Sequence, residues 1–96
     1  MRPSQALHLH RDAIRRMAYS FRVSNPRMFG SVLHGADTED SDLDLLVDPL
    51  PGATLLDLGG LKFELERLMG IRVDVRTPMD LPASFRDEVL AEARPV

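Results

Sequence analysis

Apolar positions recur along this chain in two rhythms, one near 3.6 residues and one of two, and each predicts an element. Ala6, Leu9, Ala13, Met17 and Phe21 follow three- and four-residue spacing, with Ile14 and Ala18 widening the stripe. That pattern predicts a helix over residues 4–21, with Ser4 as its N-cap. Ser24-Asn25-Pro26 breaks the pattern, and Arg27-Met28-Phe29 reads as a short strand entering a Gly30-Ser31 turn. Ser31 to His34 is expected to form one helical turn closed by Gly35.

Leu43 to Val47 is strongly apolar and predicts a buried strand, ended by Asp48-Pro49 and Pro51-Gly52. A second long helix is expected from Thr54 to Met69, capped by Thr54 and burying Leu55, Leu58, Leu61, Leu65 and Leu68. Gly59-Gly60 in its middle costs roughly 1 kcal/mol per glycine relative to alanine, which predicts a kink or two shorter helices. Gly70 ends it. Ile71, Val73 and Val75 then alternate with Arg72, Asp74 and Arg76, the pattern of a half-buried strand stopped by Thr77-Pro78. Ser84 to Ala93 reads as a short terminal helix carrying Phe85, Val89 and Leu90. The elements add up to an α/β (α+β) chain, a small mixed sheet flanked by helices, with residues 1–96 as a single domain.

Composition narrows the function. With 44% hydrophobic and 28% charged residues the chain has a globular composition, and its lack of cysteine excludes disulfides and thiolate metal sites. No signal peptide is evident and no apolar run nears the roughly 20 residues of a membrane span, so a cytoplasmic protein without a membrane partner is expected. A net charge of −3 argues against broad nucleic-acid binding. That charge is unevenly placed: Asp37, Glu39, Asp40, Asp42, Asp44 and Asp48 fall in one stretch without a Lys or Arg. Such a run is a solvated loop unless a cation gathers it. Asp40 and Asp48 read as loop and strand-end residues, His8 and His10 as surface histidines.

The apolar residues between the acids favour the cation. On a strand, Asp42 and Asp44 point to one side while Leu43, Leu45 and Val47 anchor the other. Paired carboxylates suit Mg²⁺, with Mn²⁺ as an alternative. Asp74 lies on the other predicted strand, and if the two strands are neighbours all three acids converge. Three acids around two ions would support an in-line phosphoryl displacement. Gly30 and Ser31 supply the complement, since glycine lets backbone amides approach a phosphate and the hydroxyl adds a hydrogen bond. A Walker A loop is excluded because Ala36-Asp37 follows Gly35, and a calcium loop because the glycine at its sixth position is missing.

Gly30-Ser31, three residues, Gly35, then Ser41-Asp42-Leu43-Asp44-Leu45-Leu46-Val47 resembles the signature of the nucleotidyltransferase superfamily with the DNA polymerase β-like fold. The short length is similar to its minimal (MNT) branch. The resemblance implies that Asp42, Asp44 and Asp74 bind metal and carry catalysis, with Asp74 also accepting or orienting the acceptor hydroxyl's proton. It implies that Gly30 and Ser31 contact the triphosphate of ATP or another NTP, and that an NMP, by default AMP, is transferred. Minimal members pair with HEPN-domain proteins as antitoxin and toxin, which implies a HEPN partner with a tyrosine hydroxyl as acceptor. Many relatives carry arginines in the Gly-Ser loop where this chain has Val32 and His34. The same residues suit two other roles, a non-catalytic antitoxin acting by complex formation and a catalytic subunit modifying a small molecule such as an aminoglycoside. The oligomeric state stays open.

Overall fold

The N-terminal apolar stripe folds as two helices instead of one. In the computed structural model, which describes residues 1–96, α1 spans Pro3–Leu9 and α2 spans Arg11–Ser20. His10 between them leaves helical geometry at φ −117° and ψ 20°. The break changes which side chains face inward, so Ala6 and Leu7 are buried with Ile14 and Ala18 while Leu9 is exposed. Arg2, not Ser4, is the N-cap, because Pro3 takes the first helical position, where its missing N–H costs nothing.

Strand β1 (Val23–Phe29) includes the Ser24-Asn25-Pro26 segment expected to break the chain. The strand survives through a bulge: its register with β2 shifts between Ser24 and Arg27, and Asn25 takes a left-handed φ of 53°. Pro26 is tolerated there because a bulge demands no ladder N–H from it. The Asp48 carboxylate closes the bulge, accepting from Asn25 Nδ2 at 3.0 Å and Arg27 Nη2 at 2.8 Å. A single helical turn, α3 (Gly30–Leu33), follows as expected, and β2 spans Leu43–Pro49.

Helix α4 runs unbroken from Leu55 to Met69. Thr54 and Asp57 cap it reciprocally, the Thr54 N–H donating to Asp57 Oδ2 at 2.9 Å. The expected kink is absent, and Gly60 has a packing reason: a Cβ there would stand 2.6 Å from the Phe21 ring. The buried stripe is Leu61, Leu65 and Met69, one helical face, whereas Leu55 is 83% exposed and Leu68 lies outside the core. Gly70 ends the helix at φ +68°.

Strand β3 (Val73–Arg76) leads through a 3₁₀ turn (Pro78–Asp80) to α5 (Ala83–Glu92), which buries none of its residues. Phe85 and Leu90 of α5 are partly exposed. A two-residue strand that the pattern does not predict, β4 (Arg94–Pro95), pairs with Arg27 and Met28 of β1. The sheet order is β3-β2-β1-β4; β1 is antiparallel to β2 and β4, and β2 is parallel to β3 across the α4 connection. Leu43, Leu45, Val47 and Val73 meet Ile14, Ala18, Leu61 and Leu65 in one core. No helix is long and apolar enough to cross a membrane.

Candidate functional site

The polar side of β2 and β3 carries the acids. Asp42 immediately precedes β2 and Asp44 lies within it, so Leu43 and Leu45 between and after them fill the core. The parallel pairing sets Asp44 directly beside Asp74, in the same register as Leu43 beside Val73 and Leu45 beside Val75. Neighbouring strands lie roughly 4.8 Å apart, so the sheet alone brings these two carboxylates side by side. Burial pushes the Asp44 carboxyl up to about 6, with the Asp74 and Asp42 charges adding to the rise and Arg76 opposing it. A carboxyl so crowded by like charge gains from any cation placed beside it.

On its other side Asp44 pairs with Phe29 at the end of β1, which delivers Gly30 to the same spot. A Cβ on Gly30 would fall onto Asp44 Oδ2, and the residue has a φ of +70°. Only glycine meets both demands without strain. The two halves of the sequence motif are thus in contact. Ser31 follows in the first turn of α3, half-buried beside this glycine.

The convergence of all three acids is incomplete. Asp42 Oδ1 accepts from Arg72 Nε at 2.8 Å, and Asp74 Oδ2 from Arg76 Nε at 2.8 Å. Each arginine neutralises the acid it binds, and no group of three His, Asp or Glu side chains encloses a point where a metal would rest. The donor set still suits a hard divalent cation: carboxylate oxygens alone, two of them in strand register, with the innermost one crowded by negative charge. The acids line no cavity. The larger surface depressions lie between His8 and Arg16, beside His34 and Glu92, and around Met1, Asp40 and Arg72, while Asp44 and Asp74 are half-buried side by side in the sheet.

Several positioning residues escape a reading of the sequence. Asp37 is buried and its Oδ2 accepts the Ser4 N–H at 2.9 Å, pinning the acidic loop to α1. That hydrogen bond outweighs burial and holds the Asp37 carboxyl below the usual carboxylate range. Glu66 Oε2 accepts from Val73 N at 3.0 Å and from Lys62 Nζ at 2.9 Å, while Lys62 also donates to the Val73 carbonyl at 2.8 Å. The Lys62 hydrogen bond, followed by that of Val73, keeps the Glu66 carboxyl low. This clamp fixes β3 one residue before Asp74. Its only sequence signal is a Lys and a Glu four apart, which is equally the mark of an ordinary helix pair. His34 Nε2 lies 3.2 Å from Glu92 of α5, and His8 is exposed.

A mixed four-stranded sheet flanked by helices, with a Gly-Ser turn abutting a strand acid, is the architecture of a nucleotidyltransferase. Residues 9–96 match the nucleotidyltransferase domain family, and the chain belongs to it. It is 41% identical over 71 residues to a candidate protein adenylyltransferase of Methanocaldococcus jannaschii, covering 74% of this chain and 76% of that one. It is 39% identical over 72 residues to the protein adenylyltransferase MntA of Thermococcus cleftensis, covering 75% and 73%. A solved structure described as a minimal nucleotidyltransferase superposes with a TM-score of 0.86 at 42% identity, over 97% of this chain and 95% of that one. A chain from a toxin–antitoxin crystal structure with AMP-PNP shares the fold at a TM-score of 0.73 and 16% identity, over 88% of this chain and 69% of that one.

Proposed function

We propose that this chain transfers AMP from Mg²⁺-ATP to a tyrosine hydroxyl of a HEPN-domain toxin and so acts as its antitoxin. The observation that carries the chemistry is the register of Asp44 beside Asp74, with Gly30 seated against Asp44. Asp42, Asp44 and Asp74 would hold the metal, two Mg²⁺ ions in the full site, and Gly30 and Ser31 would meet the triphosphate. The ions, when bound, supply charge stabilisation to the transferring phosphoryl group. The acceptor oxygen forms its bond to the α-phosphorus, the bond from that phosphorus to the bridging oxygen breaks, and pyrophosphate leaves. Asp74 takes the hydroxyl proton. A protein acceptor is supported by the names of the relatives, which are protein adenylyltransferases. The toxin–antitoxin neighbour adds the biological setting.

The experiment is transfer of label from α-³²P-ATP to a co-purified toxin in the presence of Mg²⁺. Asp42→Asn and Asp44→Asn each abolish labelling in a chain that still folds; undiminished labelling by Asp44→Asn would sink the proposal. The arginine pairs on Asp42 and Asp74 favour one second reading, an antitoxin that neutralises by binding alone. In that case both variants continue to protect cells from the toxin, although neither labels it.

A further inference from the structure

We infer that Arg76 is a further nucleotide-binding residue, holding Asp74 in the metal-free chain and passing to the triphosphate once a cation takes that carboxylate. The inference rests on the nucleotidyltransferase reading of the site. Arg76 stands two residues beyond Asp74 on the same side of β3, its guanidinium within the electrostatic reach of Asp74, Asp44 and Asp80. Among the site's cations it is the one not committed to structure. Arg72 is tied twice, to Asp42 Oδ1 at 2.8 Å and through Nη2 to the Asp40 carbonyl at 2.6 Å. Arg86 is held by the Pro78 and Leu81 carbonyls at 2.9 and 2.8 Å. Arg76 engages Asp74 through Nε alone, so both terminal nitrogens keep their donors for an incoming ligand.

Charge balance gives those donors a purpose. ATP brings a charge of about −4 to a face that already has three acids, and two divalent ions offset only about four of those charges. The Gly30–His34 turn contains no Lys or Arg to supply the rest. A cation binding Asp74 would displace Arg76 through like-charge repulsion, and the freed fork matches a phosphate's oxygens. Arg76 is therefore placed to make the metal and the triphosphate arrive cooperatively.

The test is calorimetric titration of the intact chain with Mn²⁺ alone and with Mg²⁺-ATP, for the unaltered protein, Arg76→Ala, Arg76→Lys and Arg72→Ala. Removing a competitor for Asp74 lets Arg76→Ala bind Mn²⁺ alone about threefold more tightly. The same variant binds Mg²⁺-ATP about tenfold or more weakly, because a charge-assisted phosphate contact is lost. These opposite signs mark the exchange. Arg76→Lys, which retains the charge without the fork, falls between, and it carries the test if Arg76→Ala does not fold. Arg72→Ala, which uncovers Asp42, also tightens Mn²⁺ but does not weaken Mg²⁺-ATP, and a weakening as large as that of Arg76→Ala overturns the assignment to Arg76. Unchanged Mg²⁺-ATP binding in Arg76→Ala overturns this inference and spares the site. Joint weakening of Mn²⁺ and Mg²⁺-ATP also overturns it, reducing Arg76 to a support for the acids. Failure of the unaltered protein to bind Mg²⁺-ATP overturns both this inference and the function proposed for the site.

Discussion

Asp37 and Asp44 belong to one acidic stretch, yet the fold moves their carboxyls in opposite directions. Asp37 is held low by the Ser4 N–H, so its contribution to stability is present above the ordinary carboxylate range and is lost as pH falls through the lowered value. Asp37→Ala should cost about 1–2 kcal/mol at neutral pH, the penalty of a broken buried hydrogen bond, and much less in strong acid. Asp44 is raised from 3.8 to about 6, so the folded chain holds the proton more tightly and stability falls as pH climbs across that interval. Asp44→Asn should therefore stabilise the metal-free chain above pH 6 by about 1 kcal/mol after solvent screening, with no gain below pH 4. Denaturant titrations at acid and neutral pH check both signs. A carboxylate whose removal stabilises the fold is one retained for something other than stability.

At the level of elements, the paired glycines of α4 separate two causes that look identical in sequence. Gly60 packs on Phe21, whereas a Cβ on Gly59 would meet open space. Gly59→Ala should raise stability by about 1 kcal/mol, the helix-propensity gain, while Gly60→Ala should lower it by a similar amount through overpacking. Melting curves of the two variants decide it; equal shifts would remove the packing account of Gly60. The same contrast explains what was legible in the chain. Strands β2 and β3, helix α4 and the Gly30-Ser31 turn follow from local periodicity and turn chemistry, and the motif acids lie close together in sequence. Features made by distant partners were hidden: the Asn25 bulge closed by Asp48, β4 on β1, and the Ser4–Asp37 and Glu66–Val73 hydrogen bonds, while the break at His10 falls inside an unbroken apolar stripe that gives no sign of it. The arginine pairs on Asp42 and Asp74 were equally hidden, since nothing in the alternation of Arg72, Asp74 and Arg76 says which arginine takes which acid.

For the whole molecule, a ligand that binds only the folded chain makes binding a stability measurement. If the proposed site binds Mg²⁺-ATP, a saturating excess of about 100 Kd should add about 2.7 kcal/mol, which for a chain of this size raises Tm by roughly 10 °C or more. The shift should vanish in Asp44→Asn, and a shift of equal size in that variant would place the nucleotide elsewhere. Leu55, Leu56 and Phe63 of α4 and Met79 of the 3₁₀ turn remain exposed.

The parallel ladder of β2 and β3 also has a history in time. Phe29, Gly30 and Asp44 meet across an antiparallel pair joined through residues 30–42, whereas the pairing of Asp74 with Asp44 spans the longer α4 connection and leans on the Lys62–Glu66 clamp at Val73. Such a nonlocal pairing forms late and opens early. Fraying of β3 alone, at the edge of the sheet, would part Asp74 from Asp44 while leaving the β1–β2 pair folded. The acid pair is thus expected to be lost through local opening at the sheet edge below the global melting temperature, which hydrogen exchange at Val73–Arg76 against that of Leu43–Val47 would reveal.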